Sequence, residues 1–146
     1  MKKEIGKEKI TMIEYNSLTI EEYVSILNSV EWKIPSLRLL KKSIENGQNV
    51  KLIIEDKTVG MASFVTNGGY AGLIIDVIVM PEYQGKGYGK LLINSLLDKI
   101  KEGLEEGEEM MIQLLSAPGK QHFYNSFGFK VKKEVVADGM YMWLKK

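Results

Sequence analysis

The chain has 146 residues, 45% hydrophobic and 27% charged, with a formal net charge of +1, which suits one soluble globular domain with a proper core. So small a net charge gives no reason to expect nucleic acid or a membrane surface as a partner. The absence of Cys excludes disulfides, thiolate metal sites and a cysteine nucleophile, and with His122 as the single histidine a histidine-built metal cluster is out of reach.

The opening MKKEIGKEKI carries lysines with no apolar stretch behind them, so no signal peptide is expected. No apolar run approaches the length of a membrane span, and a cytoplasmic location is the expectation. KITMIEY, residues 9–15, reads as an opening strand. Thr19 followed by Glu22 makes a capping box, and behind it Ile20, Tyr23, Val24 and Leu27 fall at helical spacing. After Pro35 a second helix should turn Leu37, Leu40 and Ile44 inward and stop near Asn46-Gly47. Residues 50–70 read as a hairpin, two apolar runs around a turn at Glu55-Asp56-Lys57-Thr58. AGLIIDVIVMP is a near-continuous apolar run ended by Pro81, as expected of a central strand covered on both faces.

From about Gly87 a helix follows, with Ile93, Leu96, Leu97, Ile100 and Leu104 on one stripe. Residues 109–118 give another strand, 119–127 a short helix, and 129–136 with 139–146 a closing pair of strands. No repeat, low-complexity segment or Pro/Ser-rich linker divides the chain, so one domain over 1–146 is expected. The fold class is mixed α/β, a sheet flanked by helices. The strands at 73–80 and 110–116 should run parallel, joined through the helix between them by a right-handed crossover.

Gly85, Gly87 and Gly89 stand at alternate positions in MPEYQGKGYGKLL. A dinucleotide fingerprint starting at Gly85 would need a third glycine where Lys90 stands. A Walker A loop ending in Gly89-Lys90 would need glycine at Gln84 and Ser or Thr at Leu91. Neither pattern is met. What remains is a strand, Pro-Glu-Tyr, and a glycine-rich opening to a helix. That is an anion site in physical terms: successive backbone N–H groups, no side chains in the way, and the positive helix end behind them. The alternative is a glycine-rich turn of no function, which would cost helix stability without structural return.

Gln84-Gly85-Lys86-Gly87-Tyr88-Gly89 resembles the Q/R-x-x-G-x-G/A signature of the GCN5-related N-acetyltransferases (GNAT). The resemblance implies that this loop, with Lys90 after it, holds the pyrophosphate of acetyl-CoA. Val77, Ile78 and Val79 look like the strand whose backbone pairs with the pantetheine arm. His122-Phe123-Tyr124-Asn125-Ser126-Phe127-Gly128-Phe129 looks like the family's FYxxxGF segment. Trp32, the DVIV-P-YQGKG run, Ala117-Pro118-Gly119-Lys120 and Gly139-Met140-Tyr141 resemble a small bacterial branch of the family. The implied fold is a single GNAT-like domain: a central mixed, largely antiparallel sheet of about six to seven strands flanked by helices, with one parallel, splayed strand pair. One departure stands out. Ala117 lies about where many members carry a CoA-contacting Asn, so that contact is not carried over.

The implied activity is acetyl-CoA-dependent transfer to a primary amine of a small molecule, without a metal. Such transfer needs a deprotonated amine, a polarised thioester carbonyl and a proton for the leaving thiolate. With no Cys to carry the acetyl group, direct attack in a ternary complex is favoured. Backbone N–H groups of residues 77–80 would polarise the carbonyl where strand pairing is interrupted. By resemblance Tyr124 gives the thiolate its proton, a task for a phenol that stays protonated at neutral pH; the other reading is a core aromatic sharing a face with Phe127. Asp76, a lone carboxylate in an apolar strand, is the candidate for removing the amine proton, because burying an unpaired charge is expensive. Alternation puts it with Ile78 and Met80, opposite Val77 and Val79; a structural hydrogen-bonding role stays open.

Trp32 either lines the acceptor pocket or anchors the core. Lys86 and Lys90 either reach CoA phosphates or sit in water. His122 reads as solvent-facing, and the acidic stretch 102–109 as a solvated loop rather than a polyamine site. A peptide or protein N-acetyltransferase and a non-catalytic CoA-binding module are the competing functions. The partners expected are a small-molecule amine, no nucleic acid and no membrane, with a homodimer left open.

Overall fold

In the computed structural model, which describes residues 11–132 and 145–146, five strands form one sheet in chain order. They are β1 (Thr11–Tyr15), β2 (Gln48–Ile54), β3 (Lys57–Thr66), β4 (Ala71–Val79) and β5 (Met111–Leu114). The helices are α1 (Ile20–Ser29), α2 (Leu37–Asn46), α3 (Tyr88–Glu102) and α4 (Gln121–Asn125). The strand count among the described residues is thus lower than the six to seven expected. Most of the closing strand pair at 129–136 and 139–146 lies outside them, as do residues 9 and 10 of the opening strand and Gly139, Met140 and Tyr141. The chain divides into two compact units, Met1–Gln113 and Leu114–Lys146.

In the first unit, β1 through β4 pair antiparallel. β5 joins β4 in parallel after the α3 crossover, as the chain order of an apolar strand, a helix and a second strand predicts. The two meet at their starting ends, where the Met111 N–H donates to the Tyr70 carbonyl at 2.7 Å. The β2–β3 turn is tighter than expected. Only Glu55 and Asp56 form it, at φ of 48° and 64°, the two left-handed residues that match the twist of a hairpin.

Capping explains where the first helices begin. Thr19 Oγ1 accepts from the Glu22 N–H at 3.1 Å and donates to Glu22 Oε1 at 3.1 Å, a device worth about 1 kcal/mol. Tyr23, Ile26 and Leu27 are the buried residues of α1. Ser36 caps α2 in the same way, accepting from the Leu39 N–H at 3.3 Å. Of the residues expected to face inward there, Leu40 is buried but Leu37 is 58% exposed, because it is the first residue of α2 and lies at the helix tip. On α3, Leu92, Ile93 and Leu96 are buried; Leu104 lies beyond the helix, which Gly103 terminates.

The sheet has two dressed faces. α3 covers one: the Tyr15 hydroxyl donates to the Ser95 carbonyl at 3.3 Å, and Leu92 closes over Gly60, where a Cβ would come within 3.1 Å of its side chain. α1 covers the other, and there β2 sends up Lys51. Its buried ammonium lies 3.0 Å from Glu22 and 3.7 Å from Glu14 and donates to the Ser17 carbonyl at 3.0 Å, which compensates its loss of water. Burial alone would raise the Glu22 carboxyl, but hydrogen bonds from Thr58, Lys51 and Thr19 hold it below the usual carboxylate range. β2 and β3 are the most enclosed strands. β4 is less covered than its apolar run suggests: Ile75, Val77 and Val79 are half-buried.

One close approach makes β4 intolerant of substitution near its start. A Cβ on Gly72 would fall 2.1 Å from Cζ of Phe64, and the Phe64 ring is itself fully buried. Gly72→Ala is therefore expected to destabilise the protein by about 1–3 kcal/mol through overpacking. A urea titration would read this as a lower midpoint at unchanged m; an unchanged midpoint would mean that Phe64 has room to turn away.

Candidate functional site

β4 carries the first part of the site, and an irregularity in its pairing creates it. Met61 pairs with Ile78, but Ser63 pairs with Ile75, so β4 holds one residue more than β3 across this stretch. The extra residue is accommodated as a bulge at Asp76-Val77, opposite Ala62. Asp76 takes it up with φ of 53°, a left-handed conformation that Asp tolerates better than most side chains. Ile74 and Ile78 face Phe64 and Met61, which are three apart on β3 and so point to opposite sheet faces. Strict alternation therefore fails before the bulge and holds after it: Asp76 shares the α1 side with Ile78.

There Asp76 meets α1. The Tyr23 hydroxyl donates to Asp76 Oδ2, and the Ser63 side chain acts on the same phenol, opposing its rise. Burial raises the Asp76 carboxyl above the usual range, and the bond from Tyr23 opposes that rise. Burial also drives the Tyr23 phenol far up, with the Asp76 charge adding to it. Asp76 is neither a lone buried charge nor a plain surface acid. It is a half-buried carboxylate that accepts from the Tyr23 hydroxyl, and such a group takes up a proton more readily than an exposed one.

β4 leads directly into the second part. The Met80 N–H donates to the Val59 carbonyl at 2.8 Å, and a 3-10 turn at Pro81–Tyr83 follows. The Gln84 side chain folds back, its Nε2 donating to the Val79 carbonyl at 2.8 Å, and ties the loop to the strand end. Gly85 and Gly87 then adopt φ of 74° and 87°, and a Cβ at either would meet nothing within 4 Å. Gly87 is the N-cap of α3, and the first bond into the helix is from the Leu91 N–H to the Gly87 carbonyl at 3.1 Å. From Gly85 to Lys90 the N–H groups have no partner among the described residues. Left-handed glycines turn successive amides the same way and leave the space in front of them open, and the positive end of α3 lies behind. An anion, above all a pyrophosphate, fits that cradle.

The second unit holds the remaining aromatic cluster. Tyr124 lies on α4, with the Phe123 ring 5.0 Å and the Phe129 ring 6.2 Å from it, both edge-on. Phe123 also stacks edge-on with Phe127 at 5.2 Å. Tyr124 is half-buried, and burial pushes its phenol above the ordinary value. It is a proton donor that remains protonated through the neutral range.

Asp76, Val77, Ile78, Val79 and the loop from Gln84 to Lys90 thus form one continuous stretch of backbone in the first unit. Lys86 rests its ammonium over the Tyr83 ring at 5.9 Å, and Lys90 is exposed. Trp32 follows α1, its N–H donating to the Leu27 carbonyl at 3.1 Å; at 46% exposure it is not a core anchor. His122 is exposed on α4. Among the described residues no group of His, Cys, Asp or Glu could hold a metal ion, and no helix is long and apolar enough to cross a membrane. Sequence reasoning missed Tyr23 and Ser63. Tyr23 read as one of several inward residues of a helix, and nothing local links it to a carboxylate 53 positions away.

The model of the acetyltransferase (GNAT) domain matches residues 47–131, from the start of β2 through α4. An uncharacterized N-acetyltransferase, ycf52, of Pyropia yezoensis is 26% identical over 132 residues, covering 87% of this chain and 73% of that protein. The [ribosomal protein bS18]-alanine N-acetyltransferase of Haemophilus influenzae is 28% identical over 100 residues, 68% of this chain and 65% of that one. A crystal structure from meticillin-resistant Staphylococcus aureus, of a protein of unknown function described as a probable acetyltransferase, superposes with a TM-score of 0.81 at 25% identity. The match covers 92% of this chain and 100% of that one.

Proposed function

The chain belongs to the GNAT acetyltransferase family, and from that premise we propose that it transfers an acetyl group from acetyl-CoA to the primary amine of a small molecule by direct attack in a ternary complex. The row of N–H groups from Gly85 to Lys90, without partners among the described residues and opening α3 directly after β4, carries this reading. Those amides bind the pyrophosphate, with Lys86 and Lys90 adding positive charge at its edge. Gln84 holds the loop in place through Val79. The backbone of Val77, Ile78 and Val79, from the bulge onward, receives the pantetheine arm. Bound there, acetyl-CoA supplies an acyl group activated as a thioester.

The chain's own residues do the rest. Asp76 accepts a proton from the incoming ammonium, directly or through water, aided by a burial that raises its affinity for that proton. Backbone N–H groups at the β4 irregularity stabilise the charge that gathers on the carbonyl oxygen. Tyr124 delivers its phenolic proton to the sulfur as the C–S bond breaks, and it regains one as the attacking nitrogen sheds its second proton through water and becomes the amide. Trp32, left exposed after α1, lines the acceptor side.

A screen for thiol release from acetyl-CoA with small primary amines, aminoglycosides and peptides tests the acceptor class. Turnover with a small primary amine well above that with any peptide is the expected result. Turnover confined to peptides would move the acceptor to polypeptides, the class named for the Haemophilus relative. CoA binding with no thiol release against the whole panel would leave a binding module.

A further inference from the structure

Tyr23 occupies the middle of α1 and is 3% exposed. A buried phenol must find a partner for its hydroxyl; this one donates to Asp76, and the Ser63 side chain acts on it as well. Side chains from α1, β3 and β4 thus meet around one phenol, whose proton is directed at a carboxylate. Asp76 itself keeps a left-handed backbone inside a strand, a conformation that L-residues seldom adopt there. Strain of that kind persists only where the surroundings over-determine it, and it gathers at functional sites.

We propose that Tyr23 is a positioning residue for acetyl transfer: its hydroxyl, backed by Ser63, aims the Asp76 carboxylate and keeps it free to take the acceptor's ammonium proton. This rests on the role proposed for Asp76 above. One proton passes from the ammonium to the carboxylate and later returns to solvent, while Tyr23 keeps its own throughout. The phenol, driven up by burial and by the Asp76 charge, does not compete as the base.

The surroundings leave Tyr23 in control. α3 packs on the opposite face and turns Leu92, Ile93 and Leu96 to the sheet. β5, MIQL, carries no titratable side chain, and β3 carries only Lys57, at its far end, which lies 3.8 Å from Glu82. On the α1 side Lys51 is engaged by Glu22 and Glu14. Burial favours the protonated Asp76, and the bond from Tyr23 favours the ionised one. Deleting the hydroxyl therefore raises the pH at which Asp76 ionises, so a reaction that needs the carboxylate starts later as the pH is raised.

Tyr23→Phe keeps the ring and loses only the hydroxyl. In the full chain, the Asp76 titration followed by carboxyl 13C NMR and the acidic limb of the kcat/KM profile are both expected to move up by on the order of one pH unit. Acetyl-CoA affinity should be unchanged. Ser63→Ala, one step further out, should shift both the same way by less, and it carries the same test if Tyr23→Phe does not fold. An unmoved Asp76 titration in the folded variant overturns the proposal, and so does a moved titration that the rate profile does not follow. The NMR arm needs no acceptor, so an error in the acceptor class is told apart from an error about Tyr23.

Discussion

Tyr124→Phe is expected to lower kcat by on the order of 10²-fold or more while leaving the acetyl-CoA dissociation constant nearly unchanged, since general acid catalysis is worth about 10²–10⁴-fold. The substitution keeps the ring, and with it the edge-on contacts to Phe123 and Phe129. Only the proton is lost, and it is needed only as the C–S bond breaks, so the loss falls on kcat rather than on binding. Burial holds the phenol above its ordinary value, so the donor should stay loaded across the neutral and mildly alkaline range. A pre-steady-state burst with the true acceptor would establish whether chemistry limits the rate. An unchanged rate in a folded Phe variant, with chemistry limiting, would return Tyr124 to the role of a packed aromatic.

The loop substitution Gly87→Val should weaken CoA binding by on the order of 10²-fold or more, the loss of at least two amide bonds to a charged phosphate. Val cannot take the φ of 87° that Gly87 holds without cost, so the amides at the head of α3 turn out of line. The same strain should cost about 1–2 kcal/mol of stability. That is tolerable, because a Cβ there meets nothing within 4 Å and the core beneath, Leu92, Ile93 and Leu96, is untouched. Calorimetric titration with CoA beside a thermal melt separates the two effects. In the unmodified protein, EDTA should not change the affinity, since Leu91 stands where a metal-binding Ser or Thr would be needed. Full CoA affinity in a folded Val variant would place the cofactor elsewhere.

What could be read from the order of residues is what neighbours in the chain decide. The glycines at 85, 87 and 89 pointed to a backbone left clear for an anion, and the structure puts Gly85 and Gly87 at positive φ with open space before them. The Thr19–Glu22 cap, the short helix at Gln121–Asn125 and the parallel strands across α3 follow from spacing and from the handedness of crossovers. The resemblance to the acetyltransferases rested on the same kind of local signal, two motifs in order, and the family match spans both.

The tertiary structure alone decided the rest, where the cause is a partner far along the chain. The bulge at Asp76 exists because β3 and β4 change register between Met61 and Ser63, and period-two alternation carries no record of that change. The Gln84 side chain turns back to Val79 instead of outward, and Phe64 lies over Gly72. Leu37, apolar and in phase with Leu40, is left in water at a helix tip. Asp76 could be singled out as costly to bury, but the identity of its donor, Tyr23 on α1, could not. Hydrogen bonds between distant segments depend on how helix and sheet dock, and that docking is set by the packing of whole faces rather than by any short stretch of sequence.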